Sequence, residues 1–127
     1  SLNSARKKGR DARRISDVKQ MQLALELFYD TGATYPVQGT LGALPAGVVP
    51  TYIPQLPADP NNAPPYEYQY QSLDSAGAAC STGPCAGYLL VAQLENGANA
   101  SSYVGTTPTA GTCTLDASAP FTYCAKQ

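Results

Sequence analysis

The sequence lacks histidine and tryptophan, and charged residues make up only 13% of its 127 positions, well under the roughly 25% typical of soluble domains. Without histidine the commonest general base is missing, and no serine or cysteine is grouped with an evident base. We therefore expect no enzymatic activity. The sequence also has no signal peptide and no apolar run of about 18 residues, so we expect any targeting or membrane segment to have been removed.

Positive charge is scarce outside the first 19 residues. That segment carries seven cations and two anions, a net charge of +5, whereas the remaining 108 residues carry one cation and seven anions. The candidate polyanion-binding residues in this basic run are Arg6, Lys7, Lys8, Arg10, Arg13 and Arg14. Because no aromatic residue interleaves these cations, we favour contact with acidic patches of neighbouring molecules or with lipid headgroups over nucleic-acid binding.

Four cysteines occur in this histidine-free chain: Cys80, Cys85, Cys113 and Cys124. Their spacings, C-x4-C and C-x10-C, differ from the paired C-x2-4-C typical of a four-thiolate zinc site, so we predict disulfides. Of the three possible pairings, Cys80 with Cys85 and Cys113 with Cys124 is favoured because each closes a local loop, although the sequence does not fix the connectivity. Disulfides indicate an oxidising compartment outside the cytoplasm.

A long amphipathic helix is predicted at the start of the chain. In its second half, apolar residues recur at spacings of three and four, at Ile15, Val18, Met21, Leu25 and Phe28. Leu23 and Leu27 lie on a separate side, which we interpret as further core or as a contact with a neighbouring molecule. Gly32 fits a left-handed C-cap.

The first half of this helix has a different pattern. Residues 5–14 carry no apolar stripe, so we expect them to project from the domain. Cations are unfavourable at a helix N-terminus, and residues 1–4 offer no convincing cap with a hydrophobic staple. We therefore expect the natural start of this helix to lie upstream, preceded by a hydrophobic segment.

The predicted architecture is a single α+β domain over residues 1–127. A helix over residues 1–31 is followed by a proline-rich loop over 32–65 and by a β-sheet with disulfide loops over 66–127. Eight of the eleven prolines lie between positions 36 and 65, and aliphatic residues among them predict an ordered loop that is clamped onto the core. We expect the helix to pack on a three- to four-stranded antiparallel sheet.

Two main strands are predicted in the C-terminal half. The first shows strict alternation, with Tyr66, Tyr68 and Tyr70 on one face, and the second, Gly87 to Leu94, is more apolar and central. Weaker strands are predicted at residues 102–105, 113–115 and 121–124. The tyrosine face is either an adhesive platform or a surface packed against the helix, and we favour packing.

The segment from Ala12 to Tyr29, followed by Thr34-Tyr35-Pro36, resembles the soluble half of the N-terminal helix of type IV pilins and pseudopilins. Tyr52 to Pro60 and then Tyr66-Glu67-Tyr68 continue the resemblance. It covers residues 5–70, about half of the chain, and its specificity lies in the ordered combination of these motifs.

This resemblance implies a pilin-like fold and a subunit made as a prepilin, cleaved by a prepilin peptidase and methylated at the N-terminus of the full-length protein. An upstream half-helix would anchor it in the inner membrane, facing outside the cytoplasm, before it joins other pilins in an extracellular helical filament. The implied function is a structural subunit that polymerises into a type IV pilus or pilus-like filament, with Leu23 and Leu27 on the subunit-contact helix. A pseudopilin of a type II secretion system and an adhesion or DNA-binding minor pilin are alternatives.

We expect no cofactor, and a calcium site is the minor alternative. The sequence from Leu56 to Pro60 is similar to that of the major pseudopilin of type II secretion, which binds calcium in its later loops. Here Asn61-Asn62-Ala63 replaces the usual Trp-Gly, and the C-terminal region has cysteines instead of an acidic loop. Candidate oxygen donors are dispersed, at Asp74, Glu95 and Asp116, with no D-x-D-x-D spacing.

Overall fold

A computed structural model of the chain describes residues 1–96 and 122–126. Its elements are helix α1 (Leu2–Gly32), a short 3-10 helix (Ala46–Val48) and strands β1 (Gln69–Leu73), β2 (Gly87–Gln93) and β3 (Thr122–Lys126). The strands predicted at residues 102–105 and 113–115 lie outside the described residues. The third strand begins one residue later and ends two residues later than the predicted range of 121–124.

The three strands form one antiparallel sheet in the order β1-β2-β3. Gln71 pairs with Leu89, and Val91 pairs with Cys124. Every residue of β2 is buried, as its apolar sequence predicts for a central strand. One face of β2, including Leu90, packs in the core beneath α1, while Leu89 and Val91 belong to a smaller cluster on the other face. The predicted packing of a long helix on an antiparallel sheet is thus confirmed.

The predicted apolar stripe of α1 faces the core. Val18, Met21 and Leu25 are buried, and Ile15 and Phe28 are partly buried against them. This face covers the sheet, so the amphipathic pattern of the helix is satisfied by burial against β2 and β3.

Both ends of α1 differ from the prediction by small amounts. At the start, the Ser1 Oγ accepts a hydrogen bond from the Ser4 backbone N–H at 3.3 Å, so the helix does have a side-chain cap where none was expected. At the end, Gly32 remains helical and Ala33 takes the left-handed conformation, with φ of 55°. The Ala33 N–H donates to the Tyr29 carbonyl at 2.7 Å, which satisfies one of the last carbonyls of the helix.

The proline-rich segment is an ordered loop held by its apolar residues, as predicted. Val48 and Ile53 are buried in the core, and Tyr52 contacts the ring of Phe28 edge-on at 5.8 Å between centroids. Leu44 and Leu56 pack against the same core. These contacts fix the loop beside α1.

The start of this loop covers the outer edge of β1. The Ser72 N–H donates to the Gln38 carbonyl, and Gly42 and Tyr70 exchange backbone hydrogen bonds of 3.1 and 2.8 Å. The backbone at Gly39 passes close to that of Ser81. A Cβ atom at this position would lie 3.0 Å from the Ser81 Cα, so the position requires glycine. The outer edge of β1 is therefore not an open template for another strand.

The predicted strand from Tyr66 begins three residues later. Pro64 and Pro65 supply no N–H for a ladder, and the Tyr66 N–H instead closes a turn onto the Ala63 carbonyl at 2.7 Å. Tyr68 and Tyr70 are buried in the core beneath α1, which supports the packing interpretation. Tyr66 is only half-buried, and its ring lies against the Arg14 guanidinium instead of in the core, so the three tyrosines do not form one face.

The disulfide between Cys80 and Cys85 is present as predicted. Cys124 is also disulfide-bonded, while Cys113 lies outside the described residues. The Cys80–Cys85 loop holds the chain that leaves α1, because the Cys85 N–H donates to Thr34 Oγ1 and the Tyr35 N–H donates to the Cys85 carbonyl. The disulfide loop thus links the segment that follows α1 to the sheet.

Removing this disulfide should lower the free energy of unfolding. For Cys80→Ser/Cys85→Ser we expect a loss of about 2 kcal/mol, because so short a loop restricts the unfolded chain only moderately. Urea denaturation followed by circular dichroism measures it. Thr82→Ser, an exposed change within the same loop, is the control and should stay within about 0.5 kcal/mol of wild type. Equal stability of the double variant and wild type would contradict this account.

Candidate functional site

A buried charge cluster joins three parts of the chain: Arg10, Asp11 and Arg14 of α1, Asp59 of the proline-rich loop and Glu95 after β2. Arg14 lies at the centre of this cluster, and its guanidinium is fully buried. Its Nε and Nη2 donate to the two carboxylate oxygens of Asp59 at 2.7 and 3.0 Å. Its Nη1 donates to Asp11 at 2.9 Å and to Glu95 at 2.7 Å.

The remaining members complete the hydrogen bonding of the cluster. Arg10 donates through two nitrogens to the two Glu95 oxygens. The Asp11 carboxylate accepts the backbone N–H groups of Glu95 and Asn96 at 2.9 and 2.8 Å. Among the described residues, no buried side-chain polar atom is left without a partner. A paired and satisfied cluster of this kind fixes how α1 sits on the sheet.

The cluster shifts the pKa values of Arg10, Arg14 and Glu95 in the direction that keeps each of them charged. Burial alone lowers the pKa of Arg14, but hydrogen bonds to Asp59, Glu95 and Asp11 outweigh this and raise it. The hydrogen bond from Arg10 lowers the pKa of Glu95 to about 2, with burial opposing it and Arg14 adding to it. The guanidinium of Arg14 also lies over the Tyr66 ring, 4.8 Å from its centroid.

The cluster corrects part of the expectation that residues 5–14 project from the domain: residues 5–9 are exposed, whereas the stretch from Arg10 to Arg14 contacts the fold. Asp11 and Arg14 are buried, so this part of α1 packs on the fold through charge pairing instead of an apolar stripe. Arg14 is inaccessible to a polyanion, and Arg10 is bound by Glu95. Of the predicted polyanion-binding set, those that remain exposed are Arg6, Lys7, Lys8 and Arg13. Arg6, Lys7 and Lys8 are consecutive and so point in directions about 100° apart, whereas Arg6 and Arg13, seven residues apart, lie on nearly the same side of α1.

Sequence reasoning missed this cluster although the spacing contains the signal. Asp11 and Arg14 precede Val18 by seven and four residues, so they continue the same stripe that Val18, Met21 and Leu25 define. Charged side chains on the core side of a helix indicate buried partners. Asp59 and Glu95, which supply those partners, are distant in sequence and carry no local signal.

The side of α1 opposite the core, which we call the outer face, packs against none of the residues that the structure describes. Its exposed residues are Ala12, Ser16, Lys19, Gln20, Leu23, Leu27 and Asp30. Leu23 and Leu27 are 63% and 42% exposed. The separate side predicted for these two leucines therefore faces outward and is not further core within the described residues.

Of the candidate calcium donors, Asp74 and Glu95 are engaged in other contacts. Both oxygens of Glu95 are bound by arginines, and Asp74 Oδ1 accepts the N–H groups of Ala76 and Ala78 within its own turn. Asp116 lies outside the described residues. In the described part of the chain, no three acidic or cysteine side chains come together in a way that fits a metal ion.

Glu95 should make the stability of the fold sensitive to acid. Its pKa is about 2 in the folded chain and near 4.3 when unfolded. Since the folded value is the lower one, the contribution of Glu95 is present above about pH 4.3 and is lost as the pH falls towards 2. We expect the difference in unfolding free energy between wild type and Glu95→Gln to shrink from about pH 6 to pH 2.

Urea denaturation at each pH measures that difference. Glu67→Gln, which alters an exposed carboxylate, is the matched control and should show little change across the same range. A difference between wild type and Glu95→Gln that stays constant down to pH 2 would show that the arginines do not lower the pKa of Glu95.

No family model, curated protein or solved structure matches this chain. Among the described residues, none of the helices is long and apolar enough to cross a membrane.

Proposed function

We propose that this chain is a structural subunit that polymerises into a type IV pilus or a related pilus-like filament. The observation that carries the proposal is the outer face of α1, where Leu23 and Leu27 are exposed on a long helix whose other side is fully used by the core. Two exposed leucines one turn apart on such a helix are typical of an interaction surface.

The rest of the fold supports the same function. Helix α1 packs on an antiparallel sheet, as the sequence resemblance to pilins implies. The charge cluster and the Cys80–Cys85 disulfide fix the helix to the loop and the sheet, so that the outer face is presented on a rigid body. The three carboxylates of the cluster are ion-paired, and those of Asp11 and Asp59 are buried, which suits a structural role and not acid–base chemistry.

The test uses the full-length protein in the cells that assemble it. Wild-type protein should appear in surface filaments, detected by labelled antibody and electron microscopy. Leu23→Glu/Leu27→Glu should fold normally but be incorporated at least about ten-fold less, because two charges would be buried without partners at the contact. Val37→Glu, which places a charge on another exposed apolar residue, is the control and should incorporate normally. Wild-type protein that never enters filaments would contradict the proposal.

A further inference from the structure

A cleft of about 560 Å³ separates helix α1 from the proline-rich loop. On the helix side it is lined by two oppositely charged residues one turn apart, Arg13 and Asp17. The loop supplies an apolar wall, which is made of Ile53, Pro54, Leu56, Pro57 and Ala58. Clefts of this size that combine an apolar wall with a few polar groups are typical of small-molecule sites. Leu23 and Leu27 are not part of the lining, so this cleft is separate from the contact proposed for assembly.

The Asp17 carboxylate is the buried polar group of this cleft. Asp17 is 9% exposed, and its Oδ2 accepts a hydrogen bond from the Tyr68 hydroxyl at 2.7 Å. Burial and this hydrogen bond raise the pKa of Tyr68, so its hydroxyl stays protonated and remains a donor. Within residues 1–96 and 122–126, Oδ1 accepts no hydrogen bond, yet no buried side-chain polar atom there lacks a partner. Oδ1 is therefore open to solvent, and the cleft that Asp17 lines gives access to it.

The Arg13 guanidinium lies beside the same cleft and is held only by long contacts. Its Nε is 3.7 Å from Asp17 Oδ2, which is beyond hydrogen-bond distance, and its Nη2 donates to the Ala58 carbonyl at 3.4 Å. The side chain is 59% exposed. Because an exposed ion pair of this kind contributes little free energy, an anionic group of a ligand can compete for Arg13.

These two charges select the class of ligand. An ammonium group alone would be attracted by Asp17 but repelled by Arg13, and a carboxylate alone would meet the reverse. A ligand that carries both groups pairs with both residues and leaves the net charge of the cleft unchanged. Charge-assisted hydrogen bonds of this kind are about twice as strong as neutral ones. The apolar wall adds the requirement for an aliphatic body.

We propose that this cleft binds a free α-amino acid with an aliphatic side chain. The ammonium group of the amino acid donates to Asp17 Oδ1, and its carboxylate accepts from the Arg13 guanidinium. Its side chain lies against the apolar wall of the proline-rich loop. This binding site goes beyond the proposed function and does not depend on filament formation.

NMR titration of the isotope-labelled chain with leucine tests the site. Isoamylamine lacks only the carboxylate of leucine, and isocaproate lacks only its amino group, so the two analogues separate the contributions of the two charges. We expect leucine to bind at least about ten-fold more tightly than either analogue, and glycine to bind more weakly than leucine because it has no side chain. The backbone amide signals of Ile53, Leu56 and Ala58 should shift on binding.

Two variants assign the charges to their residues. Asp17→Asn keeps an acceptor for the Tyr68 hydroxyl but removes the negative charge, and Arg13→Met removes the guanidinium. Each should weaken leucine binding at least about ten-fold, and Arg13→Met should also abolish the preference for leucine over isoamylamine. Lys7→Met and Glu67→Gln, which each remove an exposed charge outside the cleft, are the matched controls and should bind leucine as wild type does.

The analogues and Arg13→Met decide the outcome even if Asp17→Asn does not fold. Isoamylamine that binds wild type as tightly as leucine would show a site for cations, and isocaproate that does so would show a site for anions. Either result, or the absence of shifts on adding leucine up to its solubility limit, would overturn the proposal. Leucine binding that Arg13→Met leaves unchanged would overturn it as well.

Discussion

Replacing Arg14 by methionine is expected to lower the free energy of unfolding by about 3 to 5 kcal/mol. The guanidinium is fully buried and pairs with Asp59, Asp11 and Glu95, so its loss leaves carboxylates in the interior without their central cation. The cost arises from these uncompensated charges more than from packing, because methionine retains most of the side-chain volume.

Chemical denaturation at neutral pH measures this effect. Arg13→Met is the matched control, since the Arg13 side chain is 59% exposed and should contribute no more than about 1 kcal/mol. Adding Asp59→Asn to Arg14→Met should recover part of the loss, because it removes one buried charge that the first substitution leaves unpaired. Equal losses of unfolding free energy for Arg13→Met and Arg14→Met would contradict the buried charge pairing of Arg14.

A second large effect on stability is expected at Leu25, two residues after the exposed Leu23 in helix α1. Leu25→Ala should cost about 3 kcal/mol, because Leu25 is fully buried and its truncation leaves a cavity between α1 and the sheet. Leu23→Ala should change stability by less than about 0.5 kcal/mol, since Leu23 lies on the outer face. We expect the reverse order for assembly, with Leu23→Ala weakening incorporation into filaments.

The pair is measured by urea denaturation for stability and by quantitative immunogold labelling of filaments for assembly. Because both substitutions are leucine to alanine in the same helix, differences in helix propensity cancel. If Leu23→Ala destabilised the fold as much as Leu25→Ala, the outer face would have to be part of the core, and the division of α1 into two functional sides would be wrong.

Local patterns predicted the parts of this fold that local chemistry controls. The spacing of Val18, Met21 and Leu25 identified the buried face of α1, and the apolar sequence that begins at Gly87 identified the central strand. The short spacing between Cys80 and Cys85 favoured the disulfide that is observed. In each case the signal lies within one element or one loop.

What sequence could not predict depends on contacts between distant segments. Arg14 appears as one more surface cation until Asp59 and Glu95 are brought beside it by the proline-rich loop and the end of β2. Tertiary pairing, which carries no fixed spacing, decides that outcome. The alternation from Tyr66 failed for a local reason: it is typical of a strand, but the turn onto Ala63 delays the ladder until Gln69.

We propose that this protein builds filaments through the outer face of α1. The measurement that tests it most directly is electron cryomicroscopy of surface filaments from cells that make the full-length protein. We predict that this chain is the repeating subunit and that Leu23 and Leu27 are buried against a neighbouring copy. Filaments in which both leucines face solvent, or surface filaments that do not contain this chain, would contradict the claim.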